Sequence, residues 1–297
     1  MRAWVPYADL LPRLPDRLEV DVYDGSGPPP STLDGVELYV APYTFDRAPL
    51  ELVRSMPRLR VIQTLTAGYE HVLPYLPDGV ALHNAGGLHD TSTAELAVTL
   101  MLAALRGIPE FVRGRDRQEW RFDRYDALAD RTVLIIGYGG IGAAIDRRLA
   151  GFEVEVQRVA RHERDGVAPL TALPDLLPRA DVVVLCVPLT DETRRMVDRD
   201  FLARMRDGAL LVNVARGAVV DTDALVAELE SGRLRAALDV TDPEPPPPGH
   251  PLWTVPGLLL SPHVGGNSTA FLPRAKRLVV EQLSRFAAGE PLPYRVA

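Results

Sequence analysis

An arginine, a glutamate and a histidine follow three consecutive apolar stretches of the chain. Arg216 comes after LLVNVA, Glu244 after ALDVTD and His263 after LLLSP. If these stretches are strands of one parallel sheet, their carboxyl ends face a common crevice and the three side chains can converge. An arginine can bind a carboxylate, a histidine can exchange the proton that accompanies a hydride, and a carboxylate can keep that histidine charged. Taken singly, each also has an ordinary interpretation, as a surface charge, a solvated acid or a capping residue.

Residues 137–142 offer a place for the dinucleotide that would carry a hydride. GYGGIG has G-x-G-x-x-G spacing, follows the apolar run TVLII and precedes helix formers. Gly137 permits a tight turn, Gly139 lets the backbone approach a pyrophosphate, and Gly142 lets the helix approach the strand. Unpaired N–H groups and the helix dipole favour the anion. Glycine-rich turns are common, so this prediction of dinucleotide binding depends on the strand and the helix on either side.

The remainder of the chain alternates short β-branched runs with helix-compatible segments, which is typical of βαβ units on parallel sheets. The predicted strands cover residues 3–5, 20–22, 37–40, 60–64, 80–83, 132–136, 152–157, 181–187, 209–214, 236–240 and 257–260. The predicted helices cover residues 48–54, 96–105 with a capping start at 91–95, 143–149, 170–177, 201–205, 223–230 and 271–287. Residues 107–131 are interpreted as a charged surface connection. This pattern indicates an α/β protein with a doubly wound nucleotide-binding domain.

Composition narrows the class of protein. A chain of 297 residues is long enough for two domains, and 46% hydrophobic with 25% charged residues is typical of a globular protein. A net charge of −7 without a basic stripe argues against a nucleic-acid partner. No window has the roughly 18 apolar residues of a membrane helix, and the first residues lack a signal-peptide pattern, so we expect no membrane association and a cytoplasmic location. Cys186 is the only cysteine, so we expect a small buried hydrophobe and no metal site.

Longer stretches around these motifs resemble the D-isomer-specific 2-hydroxyacid dehydrogenase family, which includes glyoxylate/hydroxypyruvate reductases and phosphoglycerate dehydrogenase-like enzymes. The matching stretches are GYGGIG at 137–142, VVLCVPLTDETR at 183–194, LLVNVARGAVVDTDAL at 210–225, LDVTDPEP at 238–245 and SPHVGG at 261–266. The resemblance places the family's catalytic residues at Arg216, Glu244 and His263. It implies an NAD(P)-dependent oxidoreductase that transfers a hydride between a nicotinamide and a small 2-oxo or D-2-hydroxy acid, with His263 as acid and base. Thr241 and Asp242 replace an aromatic and an acid that are frequent after LDV, which leaves Glu244 in place.

The resemblance also implies the domain organisation: two Rossmann-like domains with parallel sheets. A doubly wound dinucleotide-binding domain would comprise residues 93–269, and a flavodoxin-like substrate domain would comprise 1–92 and 270–297. The family forms homodimers, and Trp120 and Phe122 are aromatic residues in an otherwise charged segment that suits an interface. The alternative is a non-catalytic dinucleotide-sensing or corepressor protein, because a fold does not fix a function and such a relative can keep the three residues.

The motifs and the resemblance together define the expected binding residues. The cofactor set is Gly137, Tyr138, Gly139, Gly140, Ile141, Gly142, Arg158, Ala160, Arg161, Val187, Pro188, Thr193, Val214, Ala215, Asp239, His263 and Gly265. The substrate set is Thr66, Ala67, Gly68, Tyr69 and Arg216. Asp239 is expected at the nicotinamide amide. The 66–69 segment follows a predicted strand and would offer backbone N–H groups to a carboxylate; the other interpretation is an ordinary strand-to-helix turn.

The charge of the residues at the end of the second strand of the dinucleotide-binding domain indicates whether NADP(H) or NAD(H) is bound. In NAD-binding proteins an acid about 20 residues past the last motif glycine accepts the ribose hydroxyls. Here that place holds Ala160 and Arg161, with no acid in 158–162. Small Ala160 leaves room and Arg161, helped by Arg158 or Arg164, can pair with a 2′-phosphate. NADP(H) is therefore the expected cofactor, while NAD(H) stays possible because an acid at 163 or 165 could reach the ribose.

Overall fold

The computed structural model describes residues 1–44 and 46–297, and the chain divides into two units. The terminal unit comprises Met1–His89 and Thr269–Ala297, and the central unit comprises Asp90–Ser268. The sequence placed the domain boundaries after residues 92 and 269.

The strands and helices follow the chain in alternation. The strands are β1 Arg2–Val5, β2 Glu19–Val22, β3 Val36–Val40, β4 Val61–Gln63, β5 Ala81–His83, β6 Thr132–Ile136, β7 Glu155–Ala160, β8 Ala168–Pro169, β9 Val182–Leu185, β10 Leu210–Asn213, β11 Arg235–Leu238 and β12 Leu258–Leu260. The helices are α1 Ala48–Glu51, α2 Asp90–Leu105, α3 Ile108–Asp116, α4 Gly140–Leu149, α5 Leu173–Leu176, α6 Arg199–Arg204, α7 Thr222–Glu230 and α8 Phe271–Ala288. Short 3₁₀ turns connect several of them.

The terminal unit has a five-stranded sheet in the order β2-β1-β3-β4-β5, with every pair parallel. This is the flavodoxin-like strand order. The inner strands β1 and β3 are largely apolar on both sides because both faces of the sheet are covered. On one face Val5 and Leu38 pack in the same cluster as Leu283 of α8, and on the other face Trp4 and Tyr39 form a second cluster.

The central unit has a seven-stranded sheet in the order β12-β11-β10-β9-β6-β7-β8, again parallel throughout. Strands β6, β9 and β10 lie in the middle and are buried almost completely, as their continuous apolar runs predicted. The strand order reverses direction between β6 and β9, and ligands of such sheets bind at the carboxyl ends beside this switch point. The two parallel sheets confirm the predicted α/β class.

Several predicted elements differ from the observed ones. The strand predicted at 152–157 is β7, which begins at Glu155, because Glu153 adopts a positive φ of 57° and ends the preceding turn. The interpretation of 107–131 as a surface connection was wrong for α3, which starts after Gly107 with Pro109 in its first turn. Of the helix predicted at 170–177, only α5 is α-helical, and a 3₁₀ turn lies on each side of it. Both α5 and the 3₁₀ turn that follows it have a proline in their first positions. No described helix is both long and apolar enough to cross a bilayer.

Candidate active site

Arg216, Glu244 and His263 follow three neighbouring parallel strands of the central unit. They come after β10, β11 and β12, which are adjacent in the sheet. The carboxyl ends of these strands lie at one edge, and the structure therefore brings the three predicted residues to the same side of the sheet.

The central contact of the site joins His263 to Glu244. His263 Nδ1 lies 2.5 Å from Glu244 Oε1, and the two side chains are 37% and 36% exposed. Burial raises the pKa of Glu244, but the hydrogen bond and charge of His263, the Thr241 N–H and nearby Arg216 lower it, and the resulting pKa is below its ordinary value. The ionised carboxylate accepts a hydrogen bond from Nδ1–H, so Nε2 is the ring atom left to act on a substrate.

Asp239 fixes the turn that carries His263. Its buried carboxylate accepts hydrogen bonds from the Val264 N–H at 2.9 Å, the Gly265 N–H at 2.8 Å and the Ser261 hydroxyl at 2.6 Å. His263 has a φ of +52°, which a non-glycine residue rarely adopts, and its N–H donates to the Asp239 carbonyl at 2.8 Å. These contacts hold the strained backbone in place and make Asp239 a positioning residue. Its contact with the nicotinamide amide stays a prediction.

Arg216 lies on a turn that sequence reasoning described only in part. Asn213 accepts the Ala215 N–H at 3.0 Å and donates to the Arg216 carbonyl at 3.0 Å, which closes the turn at the end of β10. A Cβ at Gly217 would collide with the Thr241 carbonyl. The Arg216 turn therefore packs directly on the loop that holds Glu244. Asn213 and Gly217 are functional-site residues that the sequence analysis missed. The sequence Ala215-Arg216-Gly217, which places Gly217 directly after Arg216, was the signal that could have identified Gly217.

The glycine turn between β6 and α4 has the geometry that a pyrophosphate requires. Gly137 has a φ of +101°, and a Cβ there would lie 2.6 Å from the Cys186 carbonyl. A Cβ at Gly142 would run into the Gly137 carbonyl oxygen. At Gly139, by contrast, a Cβ would meet no described atom within 4 Å and would project into open space in front of the helix. The first N–H groups of a helix have no intrahelical partner, so this space is suited to an anion.

The rim of this turn contains a closed ion-pair cluster. Asp146 on α4 accepts the Tyr138 hydroxyl at 2.5 Å and the Arg158 guanidinium at 2.8 and 3.2 Å. Burial raises the pKa of Asp146, but hydrogen bonds from Arg158 and Tyr138 lower it below its ordinary value. Arg158 was expected to help bind a 2′-phosphate, but its guanidinium is already occupied by Asp146.

Two other arginines lie past the end of β7. Arg161 pairs with Glu192 at 2.8 Å, while Arg164 donates to the Tyr138 carbonyl and packs over the Tyr138 ring. Ala160, the small residue predicted beside them, is buried. Arg164 is therefore close to the glycine turn through Tyr138, whereas Arg161 contacts Glu192 in the segment after β9.

The remaining cofactor candidates all lie on the carboxyl sides of strands. Val187, Pro188 and Thr193 follow β9, Val214 and Ala215 follow β10, and Gly265 follows β12. Cys186 donates its thiol hydrogen to the Gly137 carbonyl at 2.9 Å, and burial raises its pKa to about 12, which leaves it a packing residue rather than a nucleophile. Among the residues that the structure describes, no group of three or more His, Cys, Asp or Glu could hold a metal ion.

In the terminal unit, the loop at 66–69 has every carbonyl engaged. The Thr66 carbonyl accepts from the Ala85 N–H at 2.9 Å, the Ala67 carbonyl from Asn84 Nδ2 at 2.7 Å, and the Gly68 carbonyl from the Thr66 hydroxyl at 2.6 Å. The N–H groups at 67–69 donate to no atom of residues 1–44 and 46–297. Backbone of this kind, with its carbonyls hydrogen-bonded and successive N–H groups donating to none of the described residues, can hold a carboxylate.

Comparisons with known proteins identify relatives over nearly the whole chain. The family model described as "D-isomer specific 2-hydroxyacid dehydrogenase, NAD binding domain" matches residues 98–265. A glyoxylate reductase of Thermofilum pendens is 34% identical over 263 residues, which are 84% of this chain and 78% of that protein.

Two solved structures are similar in fold. One is a D-isomer specific 2-hydroxyacid dehydrogenase from Xanthobacter autotrophicus Py2 in complex with NADPH and MES, with a TM-score of 0.82, 29% identity and coverage of 100% of this chain and 98% of that chain. The other is an NADPH-dependent glyoxylate/hydroxypyruvate reductase from Sinorhizobium meliloti in complex with NADP and sulfate, with a TM-score of 0.83, 27% identity and coverage of 99% and 98%.

Proposed function

The chain belongs to the D-isomer specific 2-hydroxyacid dehydrogenase family, and from this premise we propose that it is an NADPH-dependent reductase of small 2-oxo acids. Membership makes it an oxidoreductase that transfers a hydride between a nicotinamide cofactor and a 2-oxo or 2-hydroxy acid. The observation that carries the proposal is the His263–Glu244 pair at 2.5 Å, on the carboxyl side of the sheet that also bears the glycine turn.

The residues present fit a dinucleotide. Gly137 and Gly142 are required by close backbone contacts, while Gly139 leaves open the space in front of α4 where a pyrophosphate would bind. When bound, the nicotinamide supplies or accepts the hydride. The other expected cofactor residues lie on the carboxyl sides of the strands, where such sheets bind nucleotides.

The chain's own residues supply the proton chemistry. In the reductive direction His263 Nε2 donates a proton to the carbonyl oxygen of the substrate, and in the oxidative direction it removes the proton from the hydroxyl. Glu244 holds Nδ1 and stabilises the imidazolium. Arg216 binds the substrate and polarises its carbonyl, which stabilises the negative charge that develops on oxygen.

The 66–69 loop is the proposed binding element for the substrate carboxylate. Its support is the row of N–H groups at 67–69, which donate to no residue that the structure describes, together with the carbonyls held by Asn84, Ala85 and Thr66. The terminal unit would then serve substrate binding and the central unit cofactor binding. The D configuration of the product follows from the family and is part of the proposal.

NADP(H) is the proposed cofactor. The support is local: small Ala160 precedes Arg161, and residues 158–162 contain no acid that would repel a 2′-phosphate. The two structural relatives described above were solved with NADPH and NADP. Arg161 is better placed than Arg158 to bind the phosphate, because Arg161 shares one contact with an exposed carboxylate, that of Glu192, whereas Arg158 is held by two hydrogen bonds to the more buried Asp146.

A homodimer is proposed for the assembly, in the cytoplasm. Trp120 and Phe122 are 95% and 96% exposed, and Ile108, Phe111 and Val112 of α3 also expose apolar side chains. Clustered exposed aromatics of this kind are typical of protein interfaces. Light scattering should give about twice the chain mass of 32.6 kDa, and a monomer mass would contradict the proposal.

The test of the activity is oxidation of NADPH by purified protein in the presence of glyoxylate, hydroxypyruvate and bulkier 2-oxo acids. We expect turnover with at least one of them and a D-2-hydroxy acid as product. The alternative, a non-catalytic dinucleotide sensor, predicts cofactor binding without oxidation for every acid in the panel. Nothing in the described site favours that alternative over catalysis.

The test of the cofactor is kcat/KM for NADPH and for NADH with one saturating 2-oxo acid. We expect NADPH to be preferred and the preference to fall in Arg161→Ala. A preference for NADH in the wild type would contradict the assignment. An unchanged preference in Arg161→Ala would leave NADPH standing but remove Arg161 from its explanation.

A further inference from the structure

Arg161, to which the proposed function assigns the 2′-phosphate of the cofactor, is already paired with a carboxylate. Its Nη2 lies 2.8 Å from Glu192 Oε1. Arg161 follows β7 and Glu192 follows β9, and these two strands flank β6, the strand that leads into the glycine turn. The pair therefore joins two loops at the edge of the sheet where the cofactor is proposed to bind.

This pair is easier to displace than that of Arg158. Asp146, the partner of Arg158, is only 15% exposed and accepts two guanidinium hydrogen bonds and a tyrosine hydroxyl. Arg161 and Glu192, in contrast, are 64% and 58% exposed and share one contact. Exposed ion pairs contribute little to stability, so an incoming phosphate dianion can replace the Glu192 carboxylate.

The backbone under Glu192 is held independently of the pair. The Thr193 hydroxyl donates to the Pro188 carbonyl at 2.6 Å and accepts the Thr190 N–H at 2.8 Å. When the ion pair opens, the turn is still closed by these bonds. The Glu192 carboxylate therefore stays near Arg161 after the pair opens. There it repels the negative charge of the phosphate that has taken its place.

We propose that Glu192 is a specificity-determining residue that occupies Arg161 in the cofactor-free enzyme and weakens the binding of NADP(H) selectively. A 2′-phosphate must break the Arg161–Glu192 pair and then lie close to an unpaired carboxylate of the same sign. A ribose hydroxyl of NAD(H) carries no charge and breaks no ion pair. The inference rests on the proposed use of NADP(H).

The opposite role for Glu192 is an outcome of the same test. If its carboxylate accepts the ribose hydroxyls of NAD(H), its neutralisation weakens NADH binding instead of strengthening NADPH binding. The two roles predict changes in different cofactors, so one pair of titrations separates them.

The experiment compares wild type with Glu192→Gln and with the control Asp191→Asn, which removes the adjacent exposed acid. Asp191 makes no ion pair within the described ranges, so its loss changes net charge equally without freeing Arg161. Calorimetric titration with NADPH and NADH should show Glu192→Gln binding NADPH about two- to fivefold more tightly, as expected for an exposed pair. Binding of NADH should not change. The gain should shrink at high salt and vanish in the Arg161→Ala background.

Each contrary result has a distinct meaning. If wild type prefers NADPH but Glu192→Gln gains no more than Asp191→Asn, the role of Glu192 is wrong and the proposed cofactor stands. A weaker NADH affinity in Glu192→Gln would overturn the inference in favour of ribose binding. If the wild type prefers NADH, the proposed cofactor and this inference are both wrong.

Discussion

The glycine turn at 137–142 and the loop at 66–69 are two proposed anion-binding elements that are held in place by different means. Both follow a buried parallel strand and both present backbone N–H groups. The glycine turn is fixed by close backbone contacts, of Gly137 with Cys186 and of Gly142 with Gly137. The 66–69 loop is fixed by hydrogen bonds, and one of its donors, Asn84, lies past the end of the next strand.

The difference determines what a mutation can do in each place. Where backbone contacts exclude a side chain, adding a methyl group changes the fold or the cofactor site directly. Where a distant side chain holds a carbonyl, removing it relaxes the loop without changing the backbone packing. We therefore expect changes in the glycine turn to affect cofactor binding strongly and changes around 66–69 to affect the KM of the 2-oxo acid modestly.

The largest effect should come from Gly139→Val. Its Cβ would project into the open space proposed for the pyrophosphate, and overpacking of that kind costs about 3 kcal/mol, or roughly 150-fold in the Kd of NADPH. The melting temperature should stay close to that of wild type, because no described atom lies within 4 Å of that Cβ. Gly151→Val is the matched control, since its Cβ also meets nothing within 4 Å. Tight NADPH binding by Gly139→Val would show that the pyrophosphate binds elsewhere.

Glu244→Gln should affect turnover rather than either binding element. A hydrogen bond to a charged group contributes about 1.5–3 kcal/mol, so kcat should fall roughly 10- to 150-fold while the Kd of NADPH stays constant. The pKa of Glu244 is lowered, so in wild type the carboxylate stays charged through neutral and mildly acidic pH. As the pH falls through that lowered pKa, the carboxylate is protonated, its support of His263 is lost, and kcat of the wild type should decline. Glu244→Gln has no carboxylate to protonate, so this decline of kcat at acidic pH should be absent from the variant. An unchanged kcat would remove Glu244 from the mechanism.

The smallest effect should come from Asn84→Ala. Its amide no longer fixes the Ala67 carbonyl, and loss of one hydrogen bond costs about 1 kcal/mol, or roughly fivefold in the KM of the 2-oxo acid. The Kd of NADPH should not change. Asn84→Asp keeps the size but turns the donor into an acceptor with negative charge, so its KM should rise further. A rise in the Kd of NADPH with an unchanged KM of the 2-oxo acid would indicate that the 66–69 loop serves cofactor binding rather than substrate binding.

The same contrast explains how much could be predicted from the sequence. The parallel sheets, most strands and the family were predicted correctly, because apolar strand runs and the spacing of the glycines at 137, 139 and 142 appear directly in local sequence. The 66–69 segment was left equally open to an ordinary turn, since nothing in its own residues shows that Asn84 holds it.

Other features were missed for the same physical reason. The need for glycine at 217 depends on packing against Thr241 in a different loop, and the ion pairs of Arg158 and Arg161 depend on acids at 146 and 192. A charge count near the end of β7 showed the arginines but not which of them already had a partner. Helix α3 was missed because its short amphipathic pattern is masked by charged residues.

The most direct test of the proposed mechanism is a single-turnover measurement of NADPH oxidation by a saturating 2-oxo acid in wild type and in His263→Asn. Asparagine keeps a polar side chain but cannot donate the catalytic proton as an imidazolium does. If His263 is the general acid, the rate of hydride transfer should fall about 100- to 10,000-fold. A rate for His263→Asn equal to that of wild type would contradict the assignment of His263 and with it the proposed mechanism.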